Sequence, residues 1–324
     1  MAAAETFTLL EFPERLTLEL TNACNLRCAM CPSRLRPDME RGQMDHRLFE
    51  AVIDQAAEHL PVALVPFFRG ESLLHPRLVP LLAYAKYRGV GPIQLVTNGT
   101  LLSPRLAAQL LDLGLDFISF SLDTVRADEY AAIRRGADLE RVMAKVMAFL
   151  ELREAGGYAT EVQVSATRSA ANRESIAEFI AFWRGKVDRV RIYYEHSADG
   201  HPGSLACPEV PRGMARRACR KPFGDLVVYW NGQVAACNHD WWRTPPLGDL
   251  NVQTVAQVWF GAPYESLRRQ HLHPETLQDA TCRHCDHWKM YYLPDSLVGE
   301  LYRNETPPPG RLPPAEAGLP YWGA

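Results

Sequence analysis

The chain has 324 residues, 47% of them hydrophobic and 23% charged, with a net charge of −3. That length predicts about two domains and a sizeable core, and the balanced charge gives no electrostatic reason to expect a nucleic-acid partner. No apolar run reaches membrane-spanning length, and residues 1–20 lack a secretory signal pattern, so a cytoplasmic protein is expected, in which eight cysteines read as metal or redox chemistry before disulfides.

From residue 16 to 194 strand and helix periods alternate. "LTLELT" (16–21) reads as a strand, "HRLFEAVIDQAAEHL" (46–60) as a helix and "VALVPFF" (62–68) as a strand. "RLVPLLAYAKYRG" (77–89) is a helix despite its early proline, and "IQLVTNG" (93–99) a strand ending at a turn. "SPRLAAQLLDLG" (103–114) carries Ser, Pro and Gly where a helix begins and ends. "FISFSLD" (117–123) is a strand, "LERVMAKVMAFLELREAGG" (139–157) a helix and "EVQVSAT" (161–167) a strand. "RESIAEFIAFWRG" (173–185) is a helix and "DRVRIYYE" (188–195) a strand. These six repeats predict an α/β fold with a parallel sheet and right-handed crossovers. They fall short of a closed (βα)8 barrel, so the reading is an open, partial, TIM-like (βα)6 barrel.

The strand alternation carries a second message. Thr17, Glu19 and Thr21 share a face, as do Ser119, Ser121 and Asp123; Glu161, Gln163, Ser165 and Thr167; and Arg189, Arg191 and Tyr193. A parallel sheet covered on both sides should be apolar throughout. A polar inner face suggests a wet cavity for a hydroxylated or amine-bearing ligand; a solvated face on an open sheet is the plainer alternative.

After residue 200 the pattern changes. "HSADGHPGSLACPEVPRG" (196–213) reads as a linker, and "FGDLVVYWNGQVAAC" (223–237) as a hairpin turning at Asn231-Gly232. Two short helical stretches and "CRHCDHW" (282–288) follow. The expected organisation is a barrel over 14–198, a small cysteine-bearing α+β domain over 199–295 and a proline-rich tail over 296–324.

Cys24, Cys28 and Cys31 follow the first strand, at the end of a parallel sheet where sites form. Structural zinc fills four positions with protein ligands. Three thiols on one loop, with only His46 as a distant fourth, suit an iron–sulfur cluster with an open iron better, although spacing alone leaves zinc open.

The stretch "TNACNLRCAMCP" (21–32) resembles the CxxxCxxC signature loop of the radical S-adenosylmethionine (SAM) superfamily, and the resemblance extends over about residues 14–196. "FFRGESLLHP" (67–76) is similar to the family's Gly-Gly-Glu strand end, with Arg69 in place of the first Gly and with Gly70 and Glu71 carrying the match. "VTNGT" (96–100), which contains Thr97 and Asn98, resembles the third strand end, and "SFSLD" (119–123), with Ser121 and Asp123, the polar fourth-strand segment near the SAM ribose and carboxylate. Met30 stands where the family has an apolar residue near the adenine. The resemblance implies that Cys24, Cys28 and Cys31 hold a [4Fe–4S] cluster, that SAM completes its fourth iron through amine and carboxylate, and that Glu71 binds the amine. It also implies an electron donor such as flavodoxin or ferredoxin.

Cys219, Cys237, Cys282 and Cys285 form a second set, with 17 and 44 residues in the first two intervals and a final CxxC. By geometry alone a zinc ribbon remains open. Beside such a barrel the set resembles the twitch domain, a shortened SPASM domain, which implies one auxiliary [4Fe–4S] cluster with four protein thiolates. The implied activity is that of the twitch-type dehydrogenases. Hydrogen is abstracted from a carbinol carbon of a sugar or aminocyclitol, and the auxiliary cluster accepts the electron as a ketone forms.

Cys207, in the linker, is a candidate hydrogen donor, which would make the outcome epimerisation; a bystander cysteine is the plainer reading. Arg191, Glu195 and His196, near the end of the last strand, are candidates to orient a hydroxyl or take its proton. Competing expectations are a peptide-modifying enzyme, disfavoured by the short stretch before the first strand, and a non-catalytic protein with two zinc sites.

Overall fold

Eight strands and ten α-helices account for the described chain, in a computed structural model that gives residue 7 and residues 9–197, 200–204 and 213–292. In order they are β1 (Arg15–Leu18), α1 (His46–Ala56), β2 (Ala63–Val65), α2 (Leu78–Tyr87), β3 (Gln94–Thr97), α3 (Pro104–Asp112) and β4 (Phe117–Ser121). Then come α4 (Ala127–Ile133), α5 (Leu139–Gly156), β5 (Glu161–Arg168), α6 (Ile176–Trp183) and β6 (Arg189–Tyr194). The second domain holds α7 (Lys221–Gly224), β7 (Asp225–Val228), β8 (Val234–Ala235), α8 (Val255–Trp259), α9 (Ala262–Leu272) and α10 (Ala280–His284). Cys207 and the proline-rich tail lie outside the described residues.

Strands β3-β4-β5-β6 form one parallel run, and β2 pairs in parallel with β1. A parallel bridge between Leu64 and Ile93 joins the two runs. The six expected βα strands therefore lie in chain order in one open sheet. Its outer face is apolar: Leu16, Leu18, Ile118, Phe120, Val162 and Val164 pack against Phe49, Leu81, Leu110, Val146, Phe149 and Trp183 from the helices. Asp45, Ser103 and Asp138 start α1, α3 and α5 by accepting backbone N–H bonds, which satisfies donors the helices leave unpaired. The inner face is polar yet largely buried, with Thr17, Ser119, Gln163, Ser165 and Arg191 each at 5% exposure or less.

Two features differ from the sequence expectation. Helix α4 fills a stretch with no clear period, and it delivers Arg134 to the site. More consequentially, β7 continues the barrel sheet. It pairs in parallel with β1, from Arg15 opposite Asp225 to Leu18 opposite Val228. β7 then turns through Gly232, at φ +87°, into antiparallel β8. A bare β1 edge would offer unpaired backbone groups, and the second domain covers it. The apolar core runs on without a break from Leu16 and Leu18 to Val228, Val234, Trp259 and Tyr264.

No helix among the described residues is long and apolar enough to cross a membrane.

Candidate active site

Cys24, Cys28 and Cys31 sit on the loop leaving β1, all as free thiols. The loop is pinned from several sides. Thr21 Oγ1 donates to the Gly42 carbonyl at 2.7 Å, and Leu26 N–H donates to Cys24 Sγ at 3.4 Å. The loop leaving β2 presses directly on it. A Cβ on Gly70 would lie 2.2 Å from the Thr21 carbonyl oxygen and 2.6 Å from that of Ala23, so only glycine allows this approach. The next residue then donates its N–H to the Ala23 carbonyl at 2.8 Å.

That next residue is Glu71, buried to 2% exposure. Its carboxylate accepts from Thr97 Oγ1 at 2.7 Å and from Asn98 N–H at 2.8 Å, both at the end of β3. Burial raises its pKa, against these donors. Cys24 is pushed up to about 11, first by burial and further by the Glu71 carboxylate and the other two thiols nearby. Three thiols and a carboxylate thus crowd one rim with too little positive charge among them. A metal cluster would hold the thiols as thiolates, and a ligand ammonium would offset the buried carboxylate. The residues fit a [4Fe–4S] cluster with SAM.

The other residues expected around SAM are also near this rim. Asn98 Nδ2 donates to Asn25 Oδ1 at 3.1 Å, tying β3 to the cysteine loop. The Met30 carbonyl accepts from Ser197 Oγ at 3.3 Å, which ties the loop to the end of β6. Ser121 ends β4 opposite Ser165. Asp123 is fully buried at φ +70°, and its carboxylate accepts from Thr167 N–H at 2.7 Å and from Arg134. Arg134 Nη1 in turn lies 3.7 Å from Cys28 Sγ, a cation beside a cluster-ligand sulfur. Nothing in the cysteine spacing announced Arg134. His46 begins α1 beside Asp45, 3.8 Å away.

Cys219, Cys237, Cys282 and Cys285, all free thiols, line one cavity in the second domain. Burial raises all four, Cys285 to about 12 and Cys237 and Cys282 well above the usual thiol range. Four sulfurs around one space, three of them on buried cysteines and the fourth on half-buried Cys285, with the buried Nε2 of His271 finding no hydrogen-bond partner there, fit an all-thiolate iron–sulfur cluster. His239 and His287 also line the cavity, whereas Trp241 packs on Phe68 of the barrel, ring centres 5.5 Å apart.

Of the candidate catalytic groups, Arg191 is buried on the inner face with its guanidinium 5.3 Å from the Tyr193 ring centre. Gln163 Nε2 beside it donates to Ser119 Oγ at 2.9 Å. Glu195 is half-buried on the rim, where burial raises its pKa and Arg34 opposes the shift. His196 turns toward the second domain. Its ring meets His239 edge-on at 4.9 Å, and His239 meets His287 at 4.2 Å. Burial lowers His196 to about 4, so it is neutral near pH 7.

A buried ion pair joins the two halves. Arg69 Nε and Nη2 donate to Glu19 at 2.7 and 2.6 Å, and Arg69 also donates to the Trp241 carbonyl. The guanidinium lies 3.9 Å from the Tyr229 ring centre. The lone acid in the β1 alternation was the sequence signal for Glu19; its partner was visible only as a departure from Gly-Gly-Glu.

An open parallel barrel with three thiols and a buried acid at its strand ends, joined to a four-thiol cavity, defines a radical SAM enzyme with an auxiliary-cluster domain. The profile of the Radical SAM superfamily matches residues 18–159, and that of the SPASM iron–sulfur cluster-binding domain matches residues 219–286. A tungsten-containing aldehyde ferredoxin oxidoreductase cofactor-modifying protein of Pyrococcus furiosus is 31% identical over 320 residues, covering 84% of this chain and 88% of its own. The chain belongs to the radical SAM superfamily, whose cofactors are SAM and a [4Fe–4S] cluster; its SPASM domain brings further iron–sulfur. Among solved structures, BtrN in complex with AdoMet and 2-DOIA superposes with a TM-score of 0.57 at 18% identity, over 84% of this chain and 92% of that one. Streptococcus suis SuiB bound to precursor peptide SuiA gives 0.64 at 16% identity, over 87% and 71%. These two share the fold. Membership in this superfamily replaces the expectation of a non-catalytic zinc protein.

Proposed function

We propose that the enzyme oxidises one carbinol carbon of a polyhydroxylated small molecule, a carbohydrate or aminocyclitol, to a ketone, with the second cluster as electron acceptor. The observation that carries this reading is the four-thiol cavity. Four protein thiolates leave no iron open for substrate, so the second cluster is suited to moving an electron. When bound, SAM and the first cluster supply the oxidising power that breaks a substrate C–H bond.

The chain's own residues orient the substrate and manage its proton. Gln163, Ser119, Tyr193 and Arg191 present amide, hydroxyl and guanidinium groups on the inner face, complementary to a hydroxylated ligand. Glu195 is our choice for the group that takes the hydroxyl proton, because its raised pKa moves it toward working pH. Exposed Arg27 and Arg135, joined by a 3.0 Å backbone hydrogen bond beside the cysteine loop, suit an acidic electron carrier such as flavodoxin or ferredoxin.

The name of the Pyrococcus relative favours a second reading, in which the oxidised carbon belongs to a cofactor or its precursor. Anaerobic turnover with substrate deuterated at the carbinol carbon tests both. Oxidation gives deuterium in 5′-deoxyadenosine and a product two mass units below the unlabelled substrate. A product of inverted configuration with the mass of the unlabelled substrate, its deuterium exchanged for hydrogen, and lost in Cys207→Ala, would replace oxidation by epimerisation.

A further inference from the structure

We infer that Lys221 and His271 set the reduction potential of the second cluster, holding it high enough to accept the substrate's electron. This rests on the reading of the four-thiol cavity as an all-thiolate [4Fe–4S] site. Both side chains line that cavity, and both are buried, at 3% and 1% exposure.

Lys221 supplies charge. Its Nζ lies 3.5 Å from Asp225 Oδ2, but Asp225 is already shared with Arg15, whose Nε donates to Oδ1 at 3.0 Å. One carboxylate therefore faces two cations and leaves a net positive charge beside the sulfurs. That charge reaches Cys219 and Cys237, where it opposes the effect of burial. Of the other acids nearby, Asp240 and Asp279 are both engaged by Arg243, Asp286 is paired with Lys289, and Glu14, beside Arg15 and Asp225, is exposed. An all-thiolate cluster gains a negative charge when it takes one electron, so a fixed neighbouring cation favours the reduced form. Net charge and hydrogen bonds to sulfur are the levers that proteins use on such potentials.

His271 supplies a hydrogen bond. Its Nδ1 accepts from Cys219 N–H at 3.4 Å, so the ring proton of the neutral imidazole sits on Nε2. That Nε2–H is buried without a protein partner in a cavity lined by thiols. A cluster sulfur is the acceptor it lacks. Backbone N–H groups of His239 and His287 already donate at 3.4 Å to Cys237 and Cys285, so the side-chain donor adds to a set aimed at the same sulfurs. Arg216 fixes the CxxC turn by donating at 2.9 Å to the carbonyls of Cys282 and Cys285.

The redox step is one electron from the substrate radical, after loss of the hydroxyl proton, to the oxidised cluster. The experiment isolates that cluster. Full-length protein with Cys24, Cys28 and Cys31 all changed to Ala is loaded with iron and sulfide anaerobically and titrated against dithionite, with EPR as the readout. Lys221→Met should cut the one-electron reduction constant at least tenfold, a fall of about 59 mV. Lys221→Arg should keep it close to the parent. His271→Phe should cut it severalfold, and His271→Gln, which keeps an N–H donor, less. Equal potentials in the parent, Lys221→Met and His271→Phe would overturn the inference. If Lys221→Met takes up no cluster, the parent itself decides: with ring-15N histidine its reduced EPR signal should couple to an exchangeable imidazole proton that His271→Phe abolishes, and absence of that coupling overturns the proposal. A parent that binds no [4Fe–4S] cluster overturns the reading of the cavity instead.

Discussion

Glu71 holds a carboxylate where water does not reach, and it does so with neutral donors, the Thr97 hydroxyl and the Asn98 amide. Such donors orient the group without cancelling its charge, which leaves the charge available to a ligand cation. Glu71→Gln keeps the shape and removes the charge. It should weaken SAM binding by about 10- to 100-fold, the worth of about 1.5–3 kcal/mol for a hydrogen bond to a charged group. The iron content of the cluster should stay unchanged. Anaerobic calorimetry with iron analysis checks this, and wild-type affinity in the variant would remove Glu71 from the ligand site. Asp225 plays the opposite part. Its pKa is lowered: burial raises it, but Arg15 and Lys221 together outweigh that. A carboxyl depressed in the folded state stabilises the protein above the ordinary carboxylate pKa and loses that contribution as pH falls through the folded value. Asp225→Asn should therefore cost about 3–5 kcal/mol at neutral pH by stranding buried cations, and the gap from wild type should narrow under acid in denaturant titrations.

At the level of elements, the barrel and its neighbour are less separable than their cysteine patterns suggest. β7 supplies β1 with a backbone partner along its whole length, and Tyr264 Oη donates to the Asp225 carbonyl at 3.1 Å from the other side. A fragment ending at residue 204 would leave β1 as a bare apolar edge. We expect that fragment to be insoluble or aggregated, and gel filtration of the refolded piece checks it; a monomeric, cooperatively unfolding fragment would contradict the shared sheet. Much of this architecture was legible in the sequence. Four of the six barrel strands, β1, β4, β5 and β6, showed period-two alternation, and Ser103-Pro104 and Gly156-Gly157 bounded helices that form there. The hairpin at Asn231-Gly232 was readable from its turn chemistry. Its parallel pairing with β1 was not, because strand pairing over some 210 positions is fixed by tertiary packing and leaves no local pattern. The same holds for the site. Cysteines reveal themselves by spacing, whereas Arg134, Lys221 and His271 are ordinary residues until folding brings them to a sulfur. α4 went unread because a seven-residue helix is too short to display its period.

Across the whole molecule, the first cysteine loop and the cavity of the second set belong to one packed body, and the Glu19–Arg69 pair lies where they meet. Glu19 leaves the end of β1, five residues before Cys24. It accepts from the Arg69 backbone and side chain and from Trp230 N–H at 3.1 Å. Arg69 sits in the loop leaving β2, next to Gly70 and Glu71, and reaches the Trp241 carbonyl in the second domain. The pair thus links the ligand rim to the loop after Cys237. A buried pair of this kind contributes little net stability compared with an apolar substitute, but losing one member strands the other. Arg69→Met should lower stability by about 3–5 kcal/mol. Adding Glu19→Gln, which removes the stranded charge, should recover part of the loss: its single amide oxygen keeps either the Trp230 N–H or the residue 69 N–H, which Glu19 bonds through separate oxygens, but not both. Denaturant midpoints of the two single variants and the double variant give the coupling directly. Hydrogen exchange locates it: in Arg69→Met, protection should fall both around residues 22–31 and around residues 237–243, since the pair holds both segments. Loss confined to one segment would mean that the two sites are held in register by the β1–β7 ladder alone.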